Sequence, residues 1–108
     1  MTKQLLTAAG IPAKRARFAD PPATTYAVYF DDVDAGGADN LDLIHTHDVS
    51  VELYAPKLTA ATAAENALEV QLRAAGLTWT KQAAYWLDDV QRYQVVYEFT
   101  YYEKRRAV

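Results

Sequence analysis

The sequence predicts an α+β fold: about four strands in a mainly antiparallel sheet, with two helices packed on one face. Three observations carry this. "HTHDVSVELYA" alternates Val49, Val51 and Leu53 with Asp48, Ser50 and Glu52, the period of a half-buried strand. "LTAATAAENALEVQLRAAG" places Ala61, Ala64, Leu68, Leu72 and Ala75 at helical spacing. "RYQVVYEFTYYEK" is a long run of aromatic and β-branched residues near the end of the chain.

Taken along the chain, the elements order as α-β-β-α-β-β. "TKQLLTAAGIP" reads as a first helix, with Thr2 as its cap and Gly10 then Pro12 as its stop. "AKRARFADPPA" reads as a connector, because Pro21 and Pro22 oppose regular pairing. "TTYAVYFDDV" is the first strand, with Tyr26, Val28 and Phe30 on one face and Ala27, Tyr29 and Asp31 on the other. The "HTHDVSVELYA" strand ends at Pro56. The second helix has Thr62 and Glu65 at capping-box spacing, Thr59 as an earlier start, and Gly76 as its C-terminal cap. "LTWTKQAAYWL" is a third strand whose faces are ambiguous, since Trp79 and Tyr85 fall on one side and Trp86 on the other. "DDVQ" is a tight connection. The last strand directs Val95, Tyr97, Phe99 and Tyr101 to the core. Two hairpins plus two helices make an open sheet covered on one side.

The length of 108 residues fits a single domain, 1–108, and 51% apolar residues supply a modest core. Without cysteine there is no disulfide, no thiolate metal site and no cysteine nucleophile. A formal charge of −3 argues against a general nucleic-acid binder, which carries a basic patch. No apolar run reaches about 18 residues, so no membrane span is expected. "MTKQLLTAAGIPAKRARF" has no long apolar stretch of the signal-peptide type.

The polar clusters are the candidates for chemistry. "FDDVDAGGADNLD" holds five aspartates, an asparagine and two glycines in thirteen residues. A calcium loop of the EF-hand kind needs oxygen ligands at fixed positions and a bidentate acid at the twelfth. Starting at Asp32 puts Gly36 and Leu43 where ligands belong, and starting at Asp31 puts Val33 at the third position. The stretch reads instead as the polar tip of a hairpin, solvated or facing a partner. His45 and His47, two apart on a strand, share a face and have the geometry to begin a zinc site. The metal candidates are therefore Asp32, Asp34, His45 and His47, and the reading assigns no metal and no cofactor. Lys104, Arg105 and Arg106 form a basic end, and Lys14, Arg15 and Arg17 a second cluster. No nucleophile elbow, phosphate loop or zincin helix is present, so no enzyme is expected.

"QLLTAAGIP", the Pro-led strand "PPATTYAVYFDD", "HDVSVELYAPK", "AENALEVQLRAAGLTW" and the closing "YQVVYEFTYYEK" follow one another across nearly the whole chain. In this order and flavour the chain resembles the tail-terminator or tail-completion (minor tail) proteins of long-tailed bacteriophages and prophages. That resemblance implies a structural role. Such proteins form a homo-oligomeric ring, commonly a hexamer, that stops the tail tube. They bind tail tube protein and head-tail connector protein, and DNA passes through without sequence-specific binding. They would act in the host bacterial cytoplasm during assembly and end in the virion tail. The expected partner or subunit surfaces are Asp31, Asp32, Asp34, Asp39, Tyr54, Tyr102, Lys104 and Arg105. The alternative is a divalent-cation or protein-binding module using the Asp31–Asp42 loop.

Overall fold

Two long antiparallel ladders frame the molecule. The computed structural model describes residues 1–36 and 44–104. Its elements are α1 (Thr2–Ala8), β1 (Ala13–Arg15), β2 (Tyr26–Gly36), β3 (Ile44–Ala55), α2 (Leu58–Ala74), β4 (Trp79–Lys81), β5 (Tyr85–Leu87) and β6 (Arg92–Lys104). β3 is central. It pairs with β2 from Tyr26↔Tyr54 to Gly36↔Ile44, and with β6 from Ile44↔Lys104 to Ala55↔Tyr93.

The class is α+β with two helices, as expected, but the sheet is six-stranded and mixed, in the order β1-β2-β3-β6-β4 with β5 also on β6. Two differences make it so. The stretch read as a connector contains β1, which pairs parallel to β2 through Ala13↔Ala27 and Arg15↔Tyr29. Its prolines, Pro21 and Pro22, lie beyond the strand and leave its N–H groups intact. The single third strand expected over Leu77–Leu87 is two short strands. β4 pairs with Tyr97–Phe99 and β5 with Arg92–Gln94. Lys81 to Tyr85 takes four steps while their partners Tyr97 and Gln94 are three apart, so one residue is extra. Such an insertion reverses the side-chain parity. Trp79 and Trp86 therefore share a face, opposite Phe99 and Tyr93, which resolves the ambiguity of the alternation.

Both helices end as their glycines require. Gly10 and Gly76 adopt φ of +76° and +73°. Ile11 N–H donates to Leu6 O and Leu77 N–H to Leu72 O, the six-residue closure of a Schellman motif. The N-termini differ from expectation. Thr2 is the first residue of α1 and is buried, with Met1 at the cap. α2 begins at Leu58 after Lys57, and the Thr62 hydroxyl donates inward to Leu58 O at 3.1 Å, so no capping box forms. Pro56 ends β3 close enough that the helix starts a turn before Thr62.

One apolar cluster lies between helices and sheet. Leu6 and Ile11 join Ala61, Ala64, Leu68 and Leu72 of α2 over Ala27, Val49, Val51, Leu53, Val95, Tyr97 and Phe99. Ala75 caps the helix and is exposed. Burying one such Leu stabilises by about 1.5–3 kcal/mol. Among the described residues, no helix covers the opposite face of the sheet. The molecule is elongated, 49 × 28 × 21 Å.

Candidate functional site

Towards the far end of the long strands the helix cover narrows to the start of α1, where Thr2 lies against Tyr101 and near Asp31. On the helix-side face, the stripe of Val49, Val51 and Leu53 gives way at that end to His47 and His45, and in β6 Tyr101 and Glu103 follow Phe99. The register sets Asp31 of β2 opposite Val49, one step diagonal from His47. This end is thus polar on the face that is apolar elsewhere.

His47 is 8% exposed and is held on three sides. Its Nδ1 lies 2.9 Å from both carboxylate oxygens of Asp31. A carboxylate only accepts, so Nδ1 carries the hydrogen. Its Nε2 faces Glu103 Oε1 at 3.4 Å. The Tyr101 ring stacks on the imidazole at 4.3 Å and 9°. Burial, then the Asp31 and Glu103 charges, push the Tyr101 phenol up. His45 Nδ1 lies 3.9 Å from the same Glu103 oxygen.

A second feature covers the helix-free face. A shallow groove of about 940 Å³ runs across it, with Phe30, Asp32, Asp48, Glu98 and Thr100 on its floor and Arg15 and Trp79 at its margins. Its charge is mostly negative. Thr100 donates to Asp48 at 2.8 Å. Towards the other end of this face, Tyr54 stacks on Tyr26 at 5.1 Å, donates to Glu52 at 2.8 Å and accepts from Gln94 at 2.9 Å. Burial, then the bond to Glu52, push the Tyr54 phenol up to about 12.

Under α2, Lys81 of β4 bridges Glu69 at 2.8 Å and Glu65 at 3.1 Å, and Tyr97 donates to Glu69 at 2.5 Å. Burial alone would raise the Glu69 carboxyl, but the bonds from Lys81 and Tyr97 hold it below the ordinary carboxylate value. The bond to Glu69 raises the Lys81 amine against the opposing effect of burial. Burial followed by the same Glu69 bond pushes the Tyr97 phenol far up. This network joins helix to sheet.

The expected site residues now separate. Asp31 and Asp32 lie within β2, as the first-strand reading has them, and Asp34 also lies in the strand and not in a loop, because the ladder continues to Gly36. Asp31 turns inward to His47, while Asp32 and Asp34 take the other face by strand alternation. The four metal candidates therefore divide: His45 and His47 come together, and Asp32 and Asp34 do not join them. Tyr54 is half-buried and engaged within the sheet, whereas Tyr102 is 71% exposed. Lys104 is exposed at the end of β6, opposite Ile44. Asp39, Arg105 and most of the expected acidic loop lie outside the described residues. The sequence reading missed Glu103, although its alternation with Tyr101 and Phe99 places it on the histidine face. Searches against known protein families and against characterised proteins find no match.

Proposed function

We propose that the chain is a structural assembly protein of a phage or prophage tail, forming a ring that terminates the tail tube and joins it to the head connector. The observation that supports this reading best is the overhang of the three long strands. Among the described residues, no strand pairs the outer edge of β2 beyond Tyr29 or of β6 beyond Phe99. The overhang is about 17 Å for five residues at ~3.3 Å each. Two open strand edges, one on each side of the overhang with β3 between them, are templates for adding strands from neighbours. Phe30, Val33, Ile44 and Tyr102 are exposed apolar side chains on this same overhang.

In this reading the acidic, helix-free face suits the lumen. Negative walls do not retain phosphate, so DNA slides past them. The overhang then reaches the adjacent subunit, and one end of the ring meets tail tube protein.

Light scattering over a range of concentrations tests the ring directly. The expected result is a species of several times 12.1 kDa, captured by co-expressed tail tube or connector protein. A chain that stays at 12.1 kDa at high concentration and captures neither protein overturns the reading.

A further inference from the structure

We propose that His45, His47 and Glu103 form a binding site for a divalent transition-metal ion of the zinc class. The site does not depend on the ring. Three features argue for it together.

The first is spacing. One ligand atom from each residue can be chosen so that all lie within 4.8 Å of one another. Two contacts are much closer: His47 Nε2 is 3.4 Å and His45 Nδ1 3.9 Å from Glu103 Oε1. Tetrahedral ligands about 2.0–2.1 Å from zinc stand about 3.3 Å apart. Small side-chain rotations close that difference.

The second is orientation. Asp31 takes the Nδ1 hydrogen of His47, which leaves the Nε2 lone pair facing Glu103. A carboxylate behind a ligating imidazole fixes its tautomer and raises its basicity. Tyr101 stacks flat on the ring and stops it from turning.

The third is chemistry and access. Two imidazoles and one carboxylate are the ligand set of zinc sites that keep a fourth position for an exchangeable donor. Glu103 has a side chain 44% exposed, while His47 at 11% anchors the site from below. The fourth position therefore opens outward. A hard cation such as calcium would take oxygen ligands instead.

The competing occupant is a proton. A doubly protonated His47 would donate to Asp31 and Glu103 at once and need no metal.

The test uses the full chain without a histidine tag, stripped with a chelator. Zn²⁺ is titrated by calorimetry, and Co²⁺ by visible absorption. The expected result is one ion per chain, with intense tetrahedral cobalt bands that Zn²⁺ displaces. His45→Ala and Glu103→Gln should each weaken zinc binding at least 100-fold. Asp31→Asn should weaken it by roughly 10–100-fold, as loss of an orienting carboxylate does. Asp32→Asn and Asp34→Asn, on the other face, should leave it unchanged. If Co²⁺ gives no tetrahedral bands, or if zinc binds His45→Ala and Glu103→Gln as tightly as the parent, the site is not a metal site. Circular dichroism of each variant separates lost ligands from lost fold, because His45 and Glu103 lie at the margin of the core.

Discussion

The imidazole of His47 is clamped to the carboxylate of Asp31 across the β2–β3 ladder, with Nδ1 at 2.9 Å from each oxygen. The two residues are diagonal neighbours on the face shared with the core. Both side chains are mostly shielded, at 11% and 18% exposure, so water competes weakly for this bond. Removing the carboxylate leaves a buried ring nitrogen without its acceptor. Asp31→Ala is expected to lower stability by about 1.5–3 kcal/mol, the usual loss for a bond to a charged group. Asp31→Asn retains an acceptor and should lose less. Denaturant titration of both variants without added metal gives the comparison, and an Asp31→Ala chain as stable as the parent would show the clamp to be idle.

The pH response of the helix-sheet junction follows from Glu69. Its folded carboxyl sits below the ordinary value near 4.3, because Lys81 and Tyr97 donate to it. A depressed folded value stabilises the fold fully above the unfolded value. That contribution disappears as pH falls through the folded value. Glu69→Gln should be less stable at pH 7 and should show a flatter loss of stability below about pH 4. Parallel melts from pH 7 to pH 3 read this out, and parallel slopes in parent and variant would contradict it.

At the alkaline end the sign reverses. Tyr54 titrates at about 12 in the fold, and Tyr97 is raised further. An unfolded tyrosine ionises near 10. Stability from these phenols is complete below that value and falls as pH rises from about 10 towards 12. Ultraviolet titration at pH 11 should therefore leave at least Tyr54 and Tyr97 largely un-ionised until the chain unfolds. Tyr54→Phe should reduce the number of late phenols by one. Full phenolate absorbance at pH 11 in the folded protein would refute the burial argument.

The helix caps supply a test of local conformation. Gly76 holds φ of +73° with open space where a Cβ would stand. A side chain there meets no neighbour, so the only loss is backbone strain. Gly76→Ala should destabilise by about 1–2 kcal/mol. Leu72→Ala, one turn earlier and fully buried, should lose about 2–5 kcal/mol because it leaves a cavity. If the two are equal, the cap strain is larger than the handedness argument allows.

Local periodicity carried the long elements, and long-range pairing carried what it missed. Val49, Val51 and Leu53 alternate plainly, and Leu68 and Leu72 mark the buried side of α2 without ambiguity. β1 is three residues whose partner lies across a proline-containing loop, so nothing local distinguishes Ala13–Arg15 from coil. The extra residue between Lys81 and Tyr85 is visible only against the register of β6. Asp34 reads as loop for a related reason. A run of aspartates next to glycines looks like turn chemistry, but its neighbours across the ladder keep it in the strand through Gly36. The shared face of His45 and His47 was legible from their spacing. Glu103 is 56 residues from His47, and only the β3–β6 register brings them together.

Tyr102 tests whether the overhang is an assembly surface. Its side chain is 71% exposed on the helix-free face, beside the edge of β6 that no strand pairs among the described residues. An exposed strand residue contributes little to the isolated fold, so Tyr102→Glu should change stability by no more than about 0.5 kcal/mol. In an interface the same change places a charge where aromatic side chains act as anchors, and central anchors carry 2 kcal/mol or more of binding. The expected outcome is an unchanged melting temperature at low concentration, together with a shift of the assembled species towards 12.1 kDa. The conservative Tyr102→Phe should assemble like the parent. Assembly of Tyr102→Glu at parental concentration would move the subunit contact away from this edge, and unfolding of the variant would make Tyr102 part of the fold instead.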